Sequence, residues 1–101
     1  MIKNNLWTNP NEIENGLDND RNGFAGDLHG WNFVSNNNDL DDNHGHGTHV
    51  AGIILQKASN SPVQFMILKY YDPQVPHANN LENTIKAIRY ATKMGAHIIN
   101  Y

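Results

Sequence analysis

An α/β fold built on a parallel sheet is what this chain of 101 residues predicts, and three observations carry that expectation. Val63 to Tyr70 is an almost unbroken apolar run (Val63, Phe65, Met66, Ile67, Leu68), the pattern of a strand covered on both faces. Leu81, Ile85, Ile88 and Thr92 then recur at helical spacing. After Gly95 a second apolar run begins, His97-Ile98-Ile99-Asn100-Tyr101. A strand from Val63, a crossover helix and a strand from Ala96 make one right-handed βαβ unit.

Composition divides the chain near Asp42. Residues 1–42 are crowded with Asn, Asp and Gly, which favour turns and side-chain hydrogen bonds to backbone over regular structure. This half is expected to be a polar loop region, with Asn36-Asn37-Asn38 an exposed loop. Only Gly30-Trp31-Asn32-Phe33-Val34 has strand character there, with Trp31 and Phe33 on one face. Residues 43–101 carry the regular elements. His46 to about Lys57 predicts a helix that turns Val50, Ile53, Ile54 and a neighbouring alanine toward the sheet. The second helix is expected to begin at Asn79, a cap residue with Glu82 three positions on, and to close at Gly95. Trp7, Trp31, Tyr70, Tyr71 and Tyr90 are expected in packing roles. Lys86, Arg89 and Lys93 share a helical spacing that fits a solvated face.

Charge and composition exclude several classes of function. A net charge of −3 with scattered basic residues predicts no nucleic-acid surface. Without cysteine there is no disulfide, no thiolate nucleophile and no Cys-ligated zinc. No apolar run is long enough to cross a membrane, and Met1-Ile2-Lys3 opens a polar stretch without the apolar core of a signal peptide.

The residue most suggestive of chemistry is His46. It stands between Gly45 and Gly47 at the head of the first helix, in Asn43-His44-Gly45-His46-Gly47-Thr48-His49-Val50-Ala51-Gly52. Imidazole titrates near neutral pH, and glycines without Cβ let the backbone turn sharply and approach a substrate. A second constellation is Asp18, Asp20 and Asn22 at alternate positions, then Gly23, the Phe24 carbonyl and Asp27. Alternating oxygen donors with glycine at the sixth position can wrap calcium, as in the first half of an EF-hand loop. Position twelve of such a loop is His29, so the bidentate glutamate is missing. An Asx-rich turn held by its own hydrogen bonds is the alternative. His44, His46 and His49 together raise a transition-metal site as a further reading, although no His-Glu-x-x-His pattern accompanies them. His77 and His97 are read as a loop and a strand-start residue.

The run His46-Gly47-Thr48-His49-Val50-Ala51-Gly52, preceded by Asp41-Asp42 and Gly45, closely resembles the histidine motif of the subtilisin-like serine proteases, the subtilases. Upstream, Leu6 to Ile13, Asn15 to Phe24 and His29-Gly30-Trp31-Asn32-Phe33-Val34 look like the segment between the aspartate and histidine motifs of bacterial members. Downstream, Met66-Ile67-Leu68-Lys69 and Gly95 to Tyr101 resemble the path to the substrate-binding strand. The resemblance covers essentially the whole chain. It implies a partial subtilisin-like fold, with residues 1–101 an incomplete catalytic domain.

It also implies a serine-type endopeptidase acting on polypeptides, with His46 as general base and His49 a structural neighbour. The family's aspartate and serine motifs are absent from residues 1–101. Asp39, Asp41 and Asp42 fit a solvated turn before the helix better than a triad partner. The chain alone is therefore expected not to hydrolyse peptides. The resemblance further implies a structural calcium in the Asp18, Asp20, Asn22, Phe24, Asp27 loop, and a secreted or cell-envelope location. A calcium-stabilised binding module that keeps the cleft walls without the chemistry is the alternative.

Overall fold

β1 (Gly30–Asn32) and β2 (Ile67–Lys69) pair in parallel, and helices α1 (His46–Lys57) and α2 (His77–Lys93) follow each of them in the chain, after a single 3-10 turn at Ile2–Asn5. This is a computed structural model describing residues 2–42, 45–58 and 61–101. Gly30 lies opposite Ile67, Trp31 opposite Leu68 and Asn32 opposite Lys69. The ladder is extended at both ends, where Ile67 N–H donates to the His29 carbonyl (3.0 Å) and Phe33 N–H to that of Lys69 (2.7 Å). Just before β2 the chain takes a second parallel partner at Leu6, with Phe65 N–H on the Asn5 carbonyl and Trp7 N–H on that of Phe65.

The paired part of β2 is shorter than its apolar run. The chain after β1 turns back on itself, Asn32 and Asn37 exchanging backbone hydrogen bonds of 2.9 and 3.2 Å, so the ladder has no partner beyond Lys69. The parallel connection is thus β1–α1–β2, in place of the expected β2–α2–strand unit. Residues 97–101 join no ladder among the described residues; Ala96 N–H instead closes α2 on the Ala91 carbonyl (2.9 Å) and Ile98 is 87% exposed. Tyr101 stacks on Tyr70 with ring centroids 5.5 Å apart.

Trp31 and Phe33 do share a face, and that face is the core. They form an aromatic cluster with Phe24 and Tyr90, four edge-on pairs with centroids 5.1 to 5.9 Å apart, the geometry ring quadrupoles favour. α2 gives Ala87 and Tyr90 to this cluster: Ala87, Tyr90 and Ala91 are buried, whereas Leu81, Ile85 and Ile88 are exposed. At 100° per residue the buried stripe lies about a third of a turn from the apolar stripe read from the sequence. α1 likewise differs from expectation. Its buried residue is Ala51, with Val50 and Ile54 half-buried and Ile53 exposed.

Helix starts are set by loop chemistry. α2 begins at His77, ahead of the expected Asn79, because Pro76 (φ −55°) already holds the cap conformation. Asn80 ties the preceding turn to it, accepting from Asp72 N–H (3.0 Å) and donating to the Asp72 carbonyl (2.8 Å). α1 follows Gly45, whose φ of 80° is easy for glycine alone. Asp42 braces this turn: one carboxylate oxygen accepts from Gly45 N–H (2.9 Å), the other from the Thr48 N–H and hydroxyl (2.8 Å each).

Two substitutions test this frame. Gly30 has φ 142°, and a Cβ there would lie 1.7 Å from the Ile67 carbonyl oxygen. Gly30→Ala is expected to force the strands apart and destabilise by about 2 kcal/mol or more; a urea midpoint equal to wild type would contradict the register. Asp42→Ala removes the helix brace and is expected to cost about 1 kcal/mol, read as a lowered thermal midpoint with reduced helicity.

Candidate functional site

His46 is the first residue of α1, and its side chain is exposed. The turn that delivers it is held on two sides, by the Asp42 brace and by Lys69 at the end of β2, whose Nζ donates to the Asp41 carbonyl (2.5 Å). Among the described residues no carboxylate hydrogen-bonds the imidazole. Asp39 accepts from Asp41 N–H (3.1 Å) and Asp42 serves the helix start, so neither orients His46. His49 is exposed on the same helix, and His44 lies outside the described residues. The arrangement is a solvent-facing imidazole at the head of a helix whose start is braced by Asp42.

The polar N-terminal region converges on a different feature. Glu12, Asp20 and Asp27 each bring one carboxylate oxygen within 4.8 Å of the others, the single such group of metal-ligating side chains among the described residues. Asp27 is fully buried and Glu12 is 5% exposed. Asp27 Oδ2 accepts from Tyr90 Oη (2.6 Å), Asn22 Nδ2 (2.7 Å) and Asn9 Nδ2 (3.3 Å). Asn9 Nδ2 also donates to Asp20 (2.9 Å). Asp27 Oδ1 and Glu12 Oε2 are buried without any hydrogen-bond partner. Facing Asp27, with which it would share a proton if one were taken up, and buried as well, Glu12 is held well above the usual carboxylate range. Burial, together with the hydrogen bond to Asp27, keeps the Tyr90 hydroxyl protonated.

Of the five residues expected around a cation, the structure brings Asp20 and Asp27 together. Asp18 instead closes the turn, accepting from Asn22 N–H (3.1 Å) and Gly23 N–H (2.8 Å). The Asn22 amide oxygen accepts from Phe24 N–H (2.9 Å), and the Phe24 ring packs in the core. His29, at position twelve, has its Nδ1 2.9 Å from the Trp7 carbonyl. The carboxylate that joins Asp20 and Asp27 is instead that of Glu12, six residues before Asp18. Glu12, Asn9 and Tyr90 carried no local signal: their roles depend on a chain path that brings residues 9, 12, 22, 27 and 90 to one point.

Comparison with known proteins now bears on both features. The family model for the subtilase family matches residues 3–101. The chain is 35% identical to subtilisin-like protease 1 of Plasmodium berghei (strain Anka), over 98% of this chain and 18% of that protein. It is 34% identical to subtilisin-like protease 1 of Plasmodium falciparum (isolate 3D7), over 98% of this chain and 16% of that protein. The cell wall-associated protease of Bacillus subtilis (strain 168) is 35% identical over 70% of this chain and 9% of its own length. No solved structure gives a significant match. The chain therefore spans less than a fifth of the length of these relatives. With a family match running from residue 3 to residue 101 over the histidine segment and the acidic loop alike, this chain belongs to the subtilase family.

Proposed function

We propose that this chain supplies the general-base segment of a serine endopeptidase, with His46 as the base. The observation that carries the reading is the unbroken His46-Gly52 run, presented to solvent at the head of α1 by a braced turn and lying inside the family match. In the reaction a serine oxygen attacks the carbonyl carbon of a peptide bond while a ring nitrogen of His46 accepts the serine proton. The same nitrogen then delivers that proton to the departing amine. Serine, orienting aspartate and oxyanion donors are contributed by segments other than residues 1–101, so the substrate is a polypeptide bound by the assembled enzyme. A secreted or cell-envelope location fits the name of the Bacillus relative; no helix among the described residues is long and apolar enough to cross a membrane.

The acidic loop is read as a structural calcium site. Its donors are hard oxygens, which suit calcium, and the buried, unpartnered oxygens of Glu12 and Asp27 lack any neighbouring cation to neutralise them: the one ion pair among the described residues is Lys86 with Glu82. Glu12, Asp20 and Asp27 would hold the ion. Its contribution is charge neutralisation in a region with too little apolar surface to order itself.

His46→Ala in the whole enzyme is expected to lower kcat on the order of a million-fold, the loss known for removing the base of a serine-protease triad, with an unchanged circular dichroism spectrum. Near-normal turnover would refute the assignment. Chelation of calcium is expected to lower the melting temperature of wild type, and Glu12→Gln to shrink that shift. A melting curve indifferent to chelator would remove calcium from the reading.

A further inference from the structure

Three donors from separate parts of the chain converge on one oxygen of Asp27. Two of them, Asn9 and Asn22, belong to the loop region itself. The third and shortest bond comes from Tyr90, 63 residues away on α2, with donor and acceptor both buried. The other Asp27 oxygen is buried and has no hydrogen-bond partner, as is Glu12 Oε2 beside it. Tyr90 also meets the loop through its ring, edge-on to Phe24 at 5.2 Å. α2 thus grips the acidic loop twice, once by packing and once through a carboxylate. The packing would survive loss of the hydroxyl.

We propose that Tyr90 is a positioning residue for the calcium site: its hydroxyl fixes Asp27 by Oδ2, leaves Oδ1 for the cation, and makes α2 respond to calcium in the loop. The inference rests on the calcium reading given above. A partner that holds a ligating carboxylate in one orientation raises affinity because that orientation need not be imposed on binding, and losing such a partner commonly costs 10- to 100-fold in metal affinity. The donor here is a neutral phenol, so it orients the carboxylate without cancelling the charge that the cation needs. The link also runs in reverse. Calcium that holds Asp27 in place holds the Tyr90 turn of α2 with it.

The test is calcium titration of the full chain by calorimetry, wild type against Tyr90→Phe, with amide hydrogen exchange of both with and without calcium. Tyr90→Phe is expected to bind calcium about 10-fold more weakly. In wild type, calcium is expected to slow exchange in the acidic loop and across residues 87–94; in the variant the loop should still respond and the helix should not. Equal calcium affinity, with only the calcium-free stability lowered, would make Tyr90 a packing residue and overturn the proposal. The wild-type exchange arm requires no variant: loop protection without any change in residues 87–94 also overturns it. No saturable calcium binding by wild type would instead refute the calcium reading itself, and this inference with it.

Discussion

A carboxylate with no exposed surface must be satisfied from within, and in this chain that carboxylate is Asp27. An unpaired buried charge costs several kcal/mol, so the groups that answer it are not free to move. Asn9 comes from the start of the polar region, Asn22 from its central turn and Tyr90 from α2. Each is thereby fixed relative to the other two. Tyr90 belongs to the aromatic cluster as well, and Phe24, two residues after Asn22, packs against it. Polar loop and apolar core are one construction.

His46 is held differently. Its turn depends on short-range contacts, Asp42 with Gly45 and Thr48, supplemented by the Lys69 bond to Asp41. A histidine presented in this way needs little of the surrounding fold to stand at the head of its helix, and its imidazole is open to solvent. On the proposed reading as a general base, that bracing serves a proton transfer that needs a short and well-aligned path. The acidic cluster, by contrast, exists only where distant segments meet.

That contrast explains what the sequence made legible. α1 was readable to its bounds, with His46 at its head, because glycine turn, brace and helix lie close together in the chain. Trp31 and Phe33 were readable as one face from alternation alone. The α2 face was not: Leu81, Ile85 and Ile88 form the more apolar stripe, but the core is already rich in large rings and accepts Ala87 and Ala91 beside Tyr90. Packing volume overrode hydrophobicity there. The third strand failed because a ladder needs a neighbour, which periodicity cannot supply, and residues 97–101 join no ladder among the described residues. In the acidic loop the alternation of Asp18, Asp20 and Asn22 marks the turn, while Glu12 and Asn9 enter it only through the fold.

The parallel register of β1 and β2 carries a consequence for how the chain folds. Gly30 cannot meet Ile67 until the whole of α1 and its connections have been closed into a loop, and the Asn5 to Val63 and Tyr90 to Asp27 bonds span 58 and 63 residues. Closure entropy must be met before any of these contacts forms. High contact order slows folding, so the two helices should gain structure early and the acidic loop late. The region that orders last is then the one that gathers three carboxylates within 4.8 Å of one another, and their repulsion opposes the final collapse until those charges are neutralised.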